Sequence, residues 1–260
     1  MYNEILKQIA NALFINVQNI EDRGLLKGRL GVAVFFCHYS RYTENPIYAE
    51  WANEYIYEML WTLDVDAIYD FADGSSGLAW SVSHLIENKF FEGADDIFNE
   101  IDYVVSGISF NDLNEELIST VPLFTRGLYF LQRKNETEIV KILSSIQEYF
   151  SVKEILPDTY INSLHFFIEQ CINMGIEEKF INIKLSDIQR TESDRSVNSF
   201  FDHCWENFLF KKCIDCEEKP IILNDLQNMV DSFTYNLNYQ NLSIYKGLSG
   251  LGLFLLSKSC

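Results

Sequence analysis

The chain has 260 residues, 48% of them hydrophobic, and 38 acidic against 20 basic residues leave a formal net charge of −18. That balance argues against a nucleic-acid partner, which needs clustered Lys and Arg, and a content of 20 Phe and 14 Tyr argues against disorder. No apolar run approaches the ~18 residues of a membrane span, so a bilayer is not an expected partner either.

Only four Pro and 12 Gly interrupt the chain, too few for a protein made of many tight turns, and the apolar periodicity is helical. At the N-terminus, Met1 to Lys7 alternates charged and apolar residues unlike a signal peptide, so a cytoplasmic protein is expected. The six cysteines (Cys37, Cys171, Cys204, Cys213, Cys216 and Cys260) are then expected as reduced thiols. Glu4 to Val17 places Ile5, Ile9, Leu13 and Phe14 on one helical face. The segment Gly28-Arg29-Leu30-Gly31-Val32-Ala33-Val34-Phe35-Phe36 opens an apolar helix with small residues. Pro46 to Leu63 follows as an amphipathic helix whose buried stripe is Tyr48, Trp51, Ala52, Tyr55, Ile56, Met59 and Leu60, with Pro46 suited to its first turn.

The same alternation recurs downstream. Apolar openings lie at Gly74-Ser75-Ser76-Gly77-Leu78-Ala79-Trp80, at Phe124 to Leu131, at Ile161 to Ile168 and at Gly247 to Leu256. Amphipathic segments lie at Asp95 to Val105, Glu136 to Phe150 and Leu223 to Phe233, and loops are expected at Leu185 to Ser196 and Lys211 to Pro220. With Gly31, Gly77, Gly127, Leu164 and Gly250 taken as equivalent, the gaps are 46, 50, 37 and 86 residues. The last gap is about twice the others, which places a degenerate copy within Asn198 to Phe208. A period in the forties fits one helical hairpin per repeat, an apolar inner helix followed by an amphipathic outer one. The last copy lacks an outer helix and the N-terminal helix lacks an inner one. The expectation is a single all-α domain over residues 1–260, an α/α toroid of six hairpins closed by pairing the N-terminal helix with the last inner helix.

The segment Ser243-Ile244-Tyr245-Lys246-Gly247-Leu248-Ser249-Gly250-Leu251-Gly252 resembles the glycine repeat of lanthionine synthetase C-like proteins. Gly24-Leu25-Leu26-Lys27-Gly28-Arg29-Leu30-Gly31 resembles it too, and Tyr48-Ala49-Glu50-Trp51-Ala52 resembles the outer helix. The resemblance implies an α/α toroid and, in active members, a zinc enzyme that adds cysteine thiols across dehydroalanine or dehydrobutyrine. It also implies zinc ligands from a Trp-Cys-x-Gly and a Cys-His-Gly segment. Neither occurs here: no cysteine is followed two residues later by glycine, and the sole Cys-His pair, Cys37-His38, continues with Tyr39. What the resemblance implies for this chain is a divergent, short, non-catalytic member, without a cofactor, that binds a peptide or a peptide-modifying enzyme.

Three groups carry the candidate chemistry. Arg29, Arg126, Lys246 and Asp158 recur near the starts of inner helices, where with Lys27, Thr125, Glu21, Asp22 and Asp202 they form a polar rim suited to a peptide or a solvated loop edge. His203, Cys204, Cys213 and Cys216 have ligand types and spacing for zinc, the alternative being core and loop thiols. Asp70 and Asp73 precede Gly74, where paired carboxylates suit glycoside hydrolysis and a lone acid suits a helix cap. An active enzyme, either a zinc-dependent cyclase with displaced ligands or a carbohydrate-active toroid, is thus the alternative function.

Overall fold

A computed structural model describes residues 2–61, 71–92, 98–107, 124–149, 155–156, 158–176, 189–190, 204–210, 223–235 and 238–259. Among them are eleven α-helices. In chain order they are α1 (Asn3–Asn16), α2 (Arg29–Thr43), α3 (Pro46–Trp61), α4 (Ser75–Glu87), α5 (Asn99–Gly107) and α6 (Thr125–Arg133). Then come α7 (Glu136–Tyr149), α8 (Asp158–Asn173), α9 (Cys204–Phe210), α10 (Leu223–Tyr235) and α11 (Leu248–Ser257). The fold is all-α. Among the described residues the only strand pairing is a two-residue parallel bridge of Ile155–Leu156 with Gln189–Arg190, the latter inside the loop expected at Leu185 to Ser196. No described helix is long and apolar enough to cross a membrane.

The chain divides into two compact units. The first comprises Met1–Asp64, Glu87–Phe91 and Arg195–Cys260, and the second Val65–Ile86 and Glu92–Asp194. In the first unit α2 and α3 form the expected hairpin. Leu30 through Cys37 of α2 are all buried, as an inner helix requires. By contrast, among its described side chains α3 buries Ala52, Tyr55, Ile56 and Met59 on one side. Helix α11 is buried from Leu248 to Leu256 and packs on α1, α2 and α9. Over Gly252 of α11 pass Phe35 of α2 and Ile9 of α1. The N-terminal helix therefore lies against the last inner helix, as the unmatched chain ends suggest. Its buried face is Ile5, Leu6, Ile9, Ala10 and Leu13. Phe14, expected on that face, is 46% exposed; one residue past Leu13, it sits at the stripe's edge.

Helix α9 packs on α11 and buries Cys204, Trp205, Leu209 and Phe210. A degenerate copy is expected within Asn198 to Phe208, and α9 is the helix described there. In the second unit α6 packs on both α7 and α8, an inner helix beside its outer partner and the next inner helix.

Four inner helices end alike. Glu44, Lys89, Lys134 and Gly175 follow α2, α4, α6 and α8 with φ of 54°, 58°, 54° and 76°. After three of them the next amide closes a Schellman-type bond to a carbonyl five residues back: Asn45 to Ser40, Asn135 to Phe130 and Ile176 to Cys171, each at 3.1 Å. Asn45 and Asn135 then offer side-chain oxygens to the amides of Ile47 and Glu138, both at 3.2 Å, so one asparagine closes the turn and starts the outer helix.

Candidate functional site

The loops that start α2 and α11 occupy equivalent places in the first and last repeats, and they are joined. The Tyr245 amide donates to the Leu26 carbonyl at 2.8 Å, a bond between residues that each lie two before the glycine of their copy. Gly28 and Gly247 precede the helices in the same extended conformation. The second glycine of each copy is required by space. A Cβ on Gly31 would lie 2.3 Å from the Leu25 carbonyl oxygen, and one on Gly250 would lie 2.1 Å from that of Ile244. Each loop thus folds back onto the first turn of its own helix, and only a residue without a side chain lets the carbonyl in.

Within this paired loop, Arg29 donates from Nε to the Ile20 carbonyl at 2.5 Å and from Nη2 to that of Gln18 at 3.3 Å. Its guanidinium lies 5.9 Å from the Tyr55 ring centroid. Arg29 therefore anchors the segment that follows α1. Lys246 is exposed, holds a left-handed backbone with φ of 56°, and carries its ammonium 5.4 Å from the Tyr245 ring centroid. The Tyr245 ring meets Trp205 edge-on at 5.2 Å, and Trp205 is flanked by buried Cys204 and Glu206 at the start of α9. Ser249 ties the loop down from inside, donating to the Leu242 carbonyl at 2.6 Å.

In the second unit, Ser163 of α8 takes the Phe124 amide at 2.8 Å and donates to the Tyr160 carbonyl at 2.8 Å. The fourth copy has lost its glycines, yet its serine holds the start of the third. Arg126 is the second residue of α6 and half-buried, Asp158 is the first of α8, and Asp73 is half-buried just ahead of α4. Asp70, His203, Cys213 and Cys216 lie outside the described residues. The structure thus joins the loops bearing Arg29 and Lys246 in one unit and sets Arg126 and Asp158 on packed helices of the other.

Two polar features escaped the sequence reading. One is the serine just before the second glycine position: Ser163 and Ser249 both bridge loop backbone, a signal present in the aligned copies. The other is a cluster on Asp102 of α5. Asp102 accepts the Tyr129 hydroxyl and pairs with Arg133 at 3.1 Å, with Arg133 also 4.4 Å from the Phe98 ring centroid. Burial, and then the hydrogen bond to Asp102, push the Tyr129 phenol well above its ordinary range.

Cys37-His38 is the sole Cys-His pair in the sequence. Burial pushes the Cys37 thiol up to about 12. The His38 ring meets the edges of Phe90 at 5.0 Å and Phe208 at 5.7 Å. Cys37 is thus a buried, protonated thiol, and His38 beside it is half-buried against two phenyl rings. Among the described residues, no three His, Cys, Asp or Glu side chains gather to hold a metal ion. A family model for lanthionine synthetase C-like protein matches residues 19–176 of the chain. No curated protein and no solved structure gives a significant match.

Proposed function

The chain belongs to the lanthionine synthetase C-like family, and on that footing we propose that it is a non-catalytic member that binds a peptide, free or presented by the enzyme that modifies it. The observation that carries this reading is the place of the sole Cys-His pair, on the first inner helix with Cys37 buried and His38 against Phe90 and Phe208, rather than in a ligand segment of a later repeat. Thioether formation needs a thiolate held next to an electrophilic alkene, and a family zinc site supplies that thiolate. Cys37 has neither partner nor access for it.

The scaffold in this reading is a single toroid of six hairpins. Its support lies in the first unit, where α1 packs on α11 and the loops of the first and last copies share a hydrogen bond. Peptide would be taken at the helix starts of the first unit, with Lys246 and Tyr245 presented from the last copy.

Calorimetry with a dehydroalanine-containing peptide that bears one free cysteine tests this. The expected result is binding, weakened by Lys246→Ala, with the peptide thiol still fully alkylatable after incubation with protein and added zinc. Loss of that thiol at unchanged peptide mass would show cyclisation and overturn the reading, as would the absence of binding.

A further inference from the structure

The aromatic core of the first hairpin reaches the surface beside the end of α1. Phe14 lies 6.2 Å from Phe36 and 5.8 Å from Trp51, ring centroid to ring centroid. On α3, Ile47 and Trp51 share a face at i, i+4 spacing. Phe14 stays 46% exposed and Ile47 60%, and the residue after Phe14, Ile15, is 73% exposed. Large apolar side chains exposed this far on neighbouring elements mark an interaction surface rather than scattered surface residues.

Charge selects the occupant. Glu50 and Glu54 sit on the same α3 face, one turn apart, and Glu44 ends α2 just ahead of it; all three are exposed. Among the described residues none of these carboxylates has an ion-pair partner. Helix α3 itself carries no Lys or Arg. A second copy of a chain with net charge −18 would bring like charge to this face, and an anionic lipid surface would be repelled. We propose that this surface docks a basic amphipathic helix of a partner protein, its apolar stripe on Phe14, Ile47 and Trp51 and its cations against Glu44, Glu50 and Glu54. The surface is made by α1, α3 and the end of α2 and uses neither Lys246 nor Tyr245 of the proposed peptide site.

The test is fluorescence anisotropy at about 0.15 M salt, where exposed charges beyond ~8 Å are screened, with a labelled Leu/Lys amphipathic helix of about five turns. A matched peptide with Glu for Lys serves as the counter-probe. Ile47→Ser is expected to weaken Lys-peptide binding about tenfold, the scale of one lost aliphatic contact. Glu50→Gln with Glu54→Gln is expected to weaken it about fivefold and flatten its salt dependence. Asp225→Asn with Asp231→Asn, the same charge change on exposed positions of α10, leaves binding within about twofold because neither residue belongs to the docking face. Equal loss in that control pair would reduce the effect to net charge and overturn the proposal. So would unchanged binding by Ile47→Ser, binding of the Glu peptide alone, no binding at all, or a concentration-dependent dimer that Ile47→Ser abolishes.

Discussion

Gly250→Ala inverts the usual helix rule. In a helix interior, Ala is favoured over Gly by about 1 kcal/mol because it restricts the unfolded chain. At position 250 the new methyl would sit 2.1 Å from the Ile244 carbonyl oxygen and 3.1 Å from both the Ile244 carbonyl carbon and the Trp205 Cβ. The first contact is with backbone, held by the Tyr245 amide bond to Leu26 and the Ser249 hydroxyl bond to Leu242, so the loop cannot yield as a side-chain tip would. Overpacking costs typically about 1–3 kcal/mol and more against fixed backbone. The net expectation is a loss of about 2 kcal/mol. At roughly 2–4 °C per kcal/mol for a chain of this size, the melting temperature falls by about 4–8 °C. Thermal unfolding followed by circular dichroism reads this directly, and Trp205 fluorescence reports the loop. A variant that melts at or above the parent would refute the account of why the repeat keeps its second glycine.

Other expectations follow from the same geometry. Lys134→Gly relieves a left-handed residue whose amide already closes the α6 turn, and should stabilise the protein by up to about 1 kcal/mol, read as a higher urea midpoint. Tyr129 ionises at higher pH folded than unfolded, so its contribution is fully present below the unfolded phenol's pKa of about 10 and is lost as pH rises above it. Urea midpoints at increasing alkaline pH should therefore fall in the parent, and fall less in Tyr129→Phe. Cys37 and Cys171, both buried with thiols pushed up to about 12, should resist iodoacetamide at pH 8 until urea unfolds the chain. Mapping the alkylated cysteines by mass spectrometry checks this.

The helical hairpins were legible because their two helix types carry different patterns. Continuous burial of α2 and α11 appears in the sequence as unbroken apolar runs, and the one-sided burial of α3 as a stripe at three- and four-residue spacing. A helix at α9 was signalled only by arithmetic on the gaps, since the segment around Trp205 carries no glycine. The shared helix ends were not legible. Glu44 and Lys134 take a left-handed conformation that composition assigns to Gly or Asn, because the Schellman bonds hold them there, and Lys89 takes the same conformation. Side-chain partners were not legible. Loop position identified Arg29, but its guanidinium has nearby carbonyls to bind, which depends on how the segment after α1 returns. Asp102, Tyr129 and Arg133 are 27 and 31 residues apart in the relevant pairs, and nothing in a single sequence joins them.

The central claim is that this member of the family works without the family's zinc. Zinc per chain should be measured by plasma mass spectrometry on protein purified without a metal-affinity step, before and after incubation with equimolar zinc and desalting. The account predicts far less than one zinc per chain in both samples. A stoichiometric zinc that survives desalting would contradict it and direct attention to His203, Cys204, Cys213 and Cys216.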